Sequence, residues 1–219
     1  MVLLYMVLYS MFPDLTEDVP SPIDLRSVED AREWAASAML KRPWREHFFQ
    51  RFIAELHALS RNPLHVLELG SGPGFLAQRV LEAIPGGEYT MLDFSPAMHD
   101  LARERLGSLM QHVRQVLADF KCDGWSAGLG EFDAVLTNQA VHELRHKKHA
   151  LKLHQTVRSL LRSRGCYLVC DHYFGDDGMT NAALYMTVDE QRRCLEEAGF
   201  SVTNLVTLRG LVLHRGIAS

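Results

Sequence analysis

Four groups of residues in this chain carry side chains suited to chemistry. The first is Glu68 ahead of Gly70-Ser71-Gly72-Pro73-Gly74, within the stretch HVLELGSGPGFLAQ. The apolar half of that stretch reads as a buried parallel strand, and Phe75 to Ile84 reads as a helix. Strand, glycine turn and helix in that order make a ligand-binding corner, because glycines let the backbone turn sharply and let a ligand approach the main chain. The second is Asp93, which closes a strand from Glu88 and lies about 20 residues beyond the glycines, where nucleotide-binding folds place a ribose-binding acid. A carboxylate there can accept from both hydroxyls of a vicinal diol. The third is Asp119-Phe120, after a strand from Val113 to Leu117. The fourth is Asn138-Gln139-Ala140-Val141-His142-Glu143-Leu144, after a strand from Phe132 to Thr137. His142 titrates near neutrality and is the first candidate for a general base, with a substrate-orienting or purely structural histidine as the plainer alternative. Asp171, His172 and Tyr173, past a fifth strand from Gly165 to Asp171, rank second.

The glycine spacing separates two cofactors. A dinucleotide fingerprint is GxGxxG/A, and here its third position is Phe75. A buried-strand acid followed by GxGxG instead resembles the first motif of class I S-adenosylmethionine-dependent methyltransferases. The stretch FDAVLTNQAVHEL resembles the fourth motif of that family, and EEAGF before a terminal strand pair resembles its closing part. The likeness runs from about Leu64 to the C-terminus through five motifs in order. It implies an α/β, Rossmann-like fold: a seven-stranded, mostly parallel sheet with helices on both faces, an antiparallel final strand and an N-terminal helical cap. The alternation of strand and helix supports an open α/β sheet independently.

The resemblance also implies S-adenosyl-L-methionine as cofactor and S-adenosyl-L-homocysteine as product. The cofactor-binding positions it carries over are Glu68, Gly70, Ser71, Gly72, Gly74, Phe75, Asp93, Phe94, Ser95, Met98, Asp119, Phe120, Asn138 and Gln139. Asp93 would take the ribose. Asp119 and Phe120 would meet the adenine, with a plain turn aspartate as the alternative for Asp119. Arg42 could hold the cofactor's carboxylate, though a solvated surface arginine is the simpler reading. The implied reaction moves a methyl group to an oxygen or nitrogen nucleophile, with carbon the weaker candidate, of a small molecule with apolar parts. His142 would be the catalytic base. Aromatic and methionine side chains on both expected pocket walls suit such an acceptor: Trp34, Trp44, Phe48 and Phe49 before the first strand, Tyr173, Phe174, Met179, Tyr185 and Met186 after the fifth. The first wall reads equally as core packing.

Other functions are open at this point. His142-Glu143-Leu144-Arg145-His146 spells HExxH, which on a helix places two histidines on one face for zinc. A zinc metalloprotease is therefore a remote alternative, but the motif starts directly after a strand and lacks a clear third ligand, so no metal is expected. A protein that binds the cofactor without catalysis is the nearer alternative, and a nicotinamide oxidoreductase is a third.

The elements that must position these residues follow from the rest of the chain. With 219 residues it is long enough for one sizeable core. Residues 1–60 read as a helical cap or lid segment and residues 61–219 as the Rossmann-like unit. A proline-containing linker, residues 13–26, leads to a helix capped by Ser27 and ending near Leu40, and a second helix runs from Trp44 to about Leu59. Ser95-Pro96 starts the helix after Asp93, a helix after strand four ends near Ser163, and Thr187-Val188-Asp189-Glu190 is a capping box. Two strands, Phe200 to Leu208 and Leu211 to Ile217, close the chain.

Composition bounds the partners. The net charge is −4 with acids and bases interspersed, which argues against nucleic acid. The four cysteines are too scattered for a disulfide scaffold, and a reduced, cytoplasmic protein is expected. The apolar run MVLLYMVLYSMF is too short for stable membrane insertion and lacks signal-peptide features. It suits packing on the core or a homodimer contact.

Overall fold

The computed structural model describes residues 17–218. The apolar run MVLLYMVLYSMF lies outside them. Ser27 accepts from the Asp30 backbone N–H and opens helix α1, Val28–Lys41, whose first turn carries Glu29 and Asp30. After Pro43, α2 (Arg45–Ala58) buries Phe48, Phe49, Phe52, Ile53 and Leu56 along one face. Each buried phenylalanine stabilises the fold by roughly 1.5–3 kcal/mol, so α2 is anchored in the core.

The remaining elements alternate. They are β1 (His65–Leu69), α3 (Phe75–Ala83), β2 (Glu88–Asp93), α4 (Pro96–Leu106), β3 (Val113–Leu117) and β4 (Phe132–Asn138). Then come α5 (Ala150–Ser159), β5 (Leu161–His172), α6 (Val188–Glu197), β6 (Phe200–Leu208) and β7 (Leu211–Ala218). The strands form one seven-stranded sheet in the order β3-β2-β1-β4-β5-β7-β6. Only β7 runs against its neighbours β5 and β6. Side chains alternate between two apolar layers. Val66, Met91, Leu136 and Leu168 face α2, α3 and α4, and Leu67, Leu92, Val135 and Tyr167 face α5 and α6. This is the expected fold class. Among the described residues, no helix is long and apolar enough to cross a membrane.

The region after β4 departs from the reading of the sequence. Instead of one helix ending near Ser163, there are two short 3₁₀ turns, Val141–Leu144 and Lys147–His149, and then α5 ends at Ser159. Strand β5 begins at Leu161 rather than Gly165. Arg162 donates to buried Asp133 at 3.1 Å and the Phe132 N–H donates to the Leu160 carbonyl at 2.8 Å, so this polar run joins the sheet through an irregularity beside Asp133.

The chain passes from β1 outward to β2 and β3, then returns past β1 to β4. The crevice at the carboxyl ends of β1 and β4 is therefore the topological switch point. Its tightest contact is at Gly70, whose φ is +64° and where a Cβ would collide with the Ala140 side chain. At Gly72, φ is +53° but a Cβ would meet nothing within 4 Å. Gly70→Ala should thus cost about 1–3 kcal/mol more than Gly72→Ala, backbone strain being common to both. Urea denaturation of the two variants checks this, and equal losses would mean that the loop after β4 does not rest on Gly70.

Candidate cofactor and acceptor site

A cavity of about 360 Å³ opens at the switch point. Eleven of the fourteen cofactor-binding positions named from the sequence line it, as does His142: Glu68, Gly70, Ser71, Gly72, Phe75, Asp93, Phe94, Met98, Phe120, Asn138 and Gln139. Three do not. Gly74 starts α3 in a left-handed conformation and packs on α4, where its Cβ would lie 3.3 Å from the Ala102 Cβ. Ser95 is fully buried, accepting from the Met98 N–H at 3.1 Å and donating to the Leu25 carbonyl. Asp119 accepts from the Lys121 N–H at 3.0 Å and pairs with Arg26 at 3.5 Å, facing a neighbouring open hollow. Its carboxylate is turned from the cavity because two cations and a backbone donor hold it outside.

Two acids in the cavity lining are buried in different states. Asp93 accepts from the Gly72 N–H at 2.8 Å and the Ser95 N–H at 2.9 Å. Burial raises its pKa and these donors oppose the rise, leaving it at about 6. Glu68 accepts only from the Tyr89 hydroxyl, at 2.8 Å. Burial, with a smaller contribution from the Asp93 charge, raises it to about 8. Glu68 is therefore largely protonated at pH 7 and Asp93 largely ionised.

β5 delivers Asp171 to His142 of the same cavity lining. The Asp171 carboxylate accepts from the His142 backbone N–H at 2.9 Å and meets Nδ1 of its ring at 2.7 Å. Glu143 lies 3.3 Å from Nε2. Burial alone would lower the imidazole pKa, but Asp171 and then Glu143 outweigh it and raise it to about 10. The rings of His172 and Tyr185 lie 5.5 and 5.6 Å from that of His142. Asp171, second-rank in the sequence, is thus the partner that orients His142.

Arg45 was missed altogether. It is buried, donates to the Gln139 side-chain carbonyl and lies 5.4 Å over the Trp34 ring. A signal existed: Arg45, Phe48, Phe49 and Phe52 share one helical face, so a cation sits on an apolar stripe. Arg42 also lines the cavity.

HExxH does not form the helix that zinc binding needs. The turn stops at Leu144, and Arg145 is left-handed with φ +66°, so His142 and His146 share no helical face. His146 Nδ1 instead accepts from the Lys148 N–H at 2.9 Å. Among the described residues, no group of three or more His, Cys, Asp or Glu side chains is arranged to hold a metal ion.

A family model described as a methyltransferase domain matches residues 67–167. In fold and motifs, the chain is similar to the class I S-adenosylmethionine-dependent methyltransferases. Malonyl-[acyl-carrier protein] O-methyltransferase 1 of Ilyobacter polytropus is 40% identical over 48 residues, which is 22% of this chain and 18% of that one. An O-methyltransferase family protein from Burkholderia thailandensis superposes with a TM-score of 0.74 at 19% identity, covering 100% of this chain and 70% of that one. Human N-acetylserotonin methyltransferase, solved with SAM, gives 0.66 at 19% identity, covering 89% and 57%. The chain covers less than half the length of the curated relatives it matches.

The cofactor of the class is S-adenosylmethionine, and the residues present fit it. Ser71 Oγ, Asn138 Oδ1 and Gln139 Nε2 are buried without a protein partner, and all three residues line the cavity. Unpaired buried polar atoms are costly unless a polar ligand meets them. Asp93 supplies an ionised acceptor and Arg45 a buried cation.

Glu68 gives the chain a pH signature. Folded Glu68 keeps its proton to about pH 8, whereas in the unfolded chain it loses it near 4.5. Its contribution to stability is thus full at low pH and lost as pH rises through that window. Glu68→Gln mimics the protonated acid and should make the loss of stability between about pH 5 and about pH 8.5 shallower. Denaturant titrations across that range test it, and an unchanged slope would show that Glu68 does not titrate there.

Proposed function

We propose that this chain moves a methyl group from S-adenosylmethionine to an oxygen or nitrogen of a small molecule with apolar parts, and that His142 takes the acceptor's proton. The observation that carries this is His142, paired with Asp171, in the lining of one cavity with an ionised Asp93. The names of similar proteins include both O-methyltransferases and carbon methyltransferases, so the choice of an oxygen or nitrogen acceptor rests on the His142 base.

When bound, the cofactor supplies a methyl group activated by a sulfonium charge. Asp93 accepts from the ribose hydroxyls, and Gly70 and Gly72 let the backbone lie close to the ligand. Phe94, Met98 and Phe120 flank the base. Asn138 and Gln139 offer polar atoms to the amino-acid end, and Arg45 pairs its carboxylate. Arg45 displaces Arg42 from that role because it is the guanidinium tied to Gln139. Of the cap segment 1–60, the described helices line the cavity: α1 supplies Trp34 and α2 supplies Phe49 and Arg45.

His142 must lose its proton to act as base. Asp171 fixes the ring through Nδ1 and leaves Nε2 for the acceptor. The acceptor takes the place of Glu143 at Nε2, which removes one of the two carboxylates that hold the proton on. Holding nucleophile and methyl in line is the larger contribution, as in any displacement between neutral or weakly charged groups.

Two measurements test this. By calorimetry, Asp93→Ala should weaken S-adenosylmethionine binding by about 1–3 kcal/mol, the range for a lost charge-assisted hydrogen bond; unchanged affinity would remove Asp93 from the site. For methyl transfer, His142→Ala should lower kcat by about 10²–10⁴-fold while cofactor affinity stays within about twofold. Because neutral His142 is the active form, kcat/KM should rise with pH towards 10. Asp171→Asn should move that rise to lower pH and lower the plateau. A flat profile in both proteins would assign His142 to binding.

A further inference from the structure

The cavity lining includes two arginines that no acid pairs. Arg45 is 3% exposed yet hydrogen-bonds only to neutral Gln139. Arg42, the non-helical residue that ends α1 three positions before it, lines the same cavity, and its side chain makes no hydrogen bond or ion pair among the described residues. Their charges are close enough to repel, and Arg42 also acts on His172 and Tyr185, the two rings beside His142. The acids of the lining and beside it are already engaged. Asp171 is paired with His142, Glu143 is shared between His142 and Arg145, and Asp93 is held by the Gly72 and Ser95 N–H groups.

Filling the cofactor site does not balance this charge. S-adenosylmethionine brings one carboxylate, against a sulfonium and an ammonium. That carboxylate serves Arg45 in the function proposed above. Arg42 is left facing the acceptor space, where a buried or half-buried guanidinium without an anion carries a desolvation cost. A cationic acceptor would add to the repulsion and a neutral one would leave it, whereas an anionic acceptor removes it.

Resting on that reading, we propose that the methyl acceptor carries a carboxylate, or an anion of like geometry, paired by Arg42. Its nucleophile lies at His142, and its apolar body rests on Trp34, Met179, Leu184 and Tyr185, all of which line the cavity. A hydroxylated aryl or acyl acid meets these requirements. Arginine suits the role because its planar fork matches a carboxylate bidentately.

The test uses the full chain saturated with S-adenosylhomocysteine and matched probes that differ only in charge. Suitable pairs are 3-hydroxybenzoate with 3-hydroxybenzamide, and 3-hydroxyoctanoate with its amide. Ligand-observed NMR titrations give affinities. In at least one pair the acid should bind about tenfold or more tightly than the amide. Arg42→Gln should abolish that preference, Arg42→Lys should restore part of it, and S-adenosylhomocysteine affinity should stay within about twofold in both variants. Equal binding of acid and amide, absence of binding by every acid, or a preference that survives Arg42→Gln would overturn the proposal. So would a tenfold loss of S-adenosylhomocysteine affinity in Arg42→Gln, which would place Arg42 on the cofactor. No binding of S-adenosylhomocysteine to the unaltered chain is a separate outcome: it overturns the methyltransferase reading itself, and this inference with it.

Discussion

The main chain at Gly70 has to lie against the side chain of Ala140, and much else is built around that contact. It joins the turn after β1 to the loop after β4 at the point where the sheet's order reverses. Only a residue without a Cβ permits the approach at a φ of +64°. The Gly70 and Ser71 N–H groups then donate to the Leu92 carbonyl, at 2.8 and 3.1 Å, and Asp93 beyond it reaches back to the Gly72 N–H. Three strand ends are thereby fixed to one another before any ligand arrives. Catalysis by positioning needs that kind of rigidity, since a shift of about 1 Å in a reacting group can cost 10²-fold.

Within this frame, donor count sets the charge of each buried acid. Glu68, Asp93 and Asp171 are all at most 5% exposed. Glu68 has one neutral donor and stays protonated; Asp93 has two backbone N–H groups and ionises near pH 6. Asp171 is held below the usual carboxylate range although burial raises it, because the His142 charge and ring, the His172 charge and two backbone N–H groups all favour the anion. Desolvation is similar for the three and cannot distinguish them. Placement of hydrogen-bond donors and, for Asp171, of the His142 charge does, and it separates a diol acceptor from a proton-holding pair within one cavity.

The sequence made most of the fold legible because its signals were local. Ser27, Ser95 and Thr187 cap helices where their types and spacing predict. The strand ends at Asp93 and near Asn138 follow from apolar runs meeting polar punctuation. The β5 start was hidden because Leu161-Arg162-Ser163-Arg164 has no strand pattern, and its place in the sheet depends on distant Asp133 and Arg61. Asp119 and Ser95 were misplaced for a related reason. Motif position gives the backbone location, but Arg26 and Leu25, which draw those side chains away, come from a linker with no motif of its own. Arg45 depends likewise on a partner, Gln139, far along the chain.

The zinc-like HELRH spelling has a physical account in the same linker. Arg145 leaves the helical region, and its buried guanidinium donates to the carbonyls of Val19 and Pro20, each at 2.8 Å. Its own carbonyl accepts from the Val19 N–H at 2.7 Å. These bonds fasten the start of a strap whose other end is held by Ser95 at Leu25, and Pro22, Ile23 and Leu25 in between form cavity wall. A helix through His146 would keep Arg145 in helical geometry and bring His142 onto a face with His146. It would thereby remove the latch and turn His142 from Asp171 in one step. The left-handed break at a single residue therefore serves two ends together: it closes the cavity with the strap, and it leaves His142 free to pair with β5.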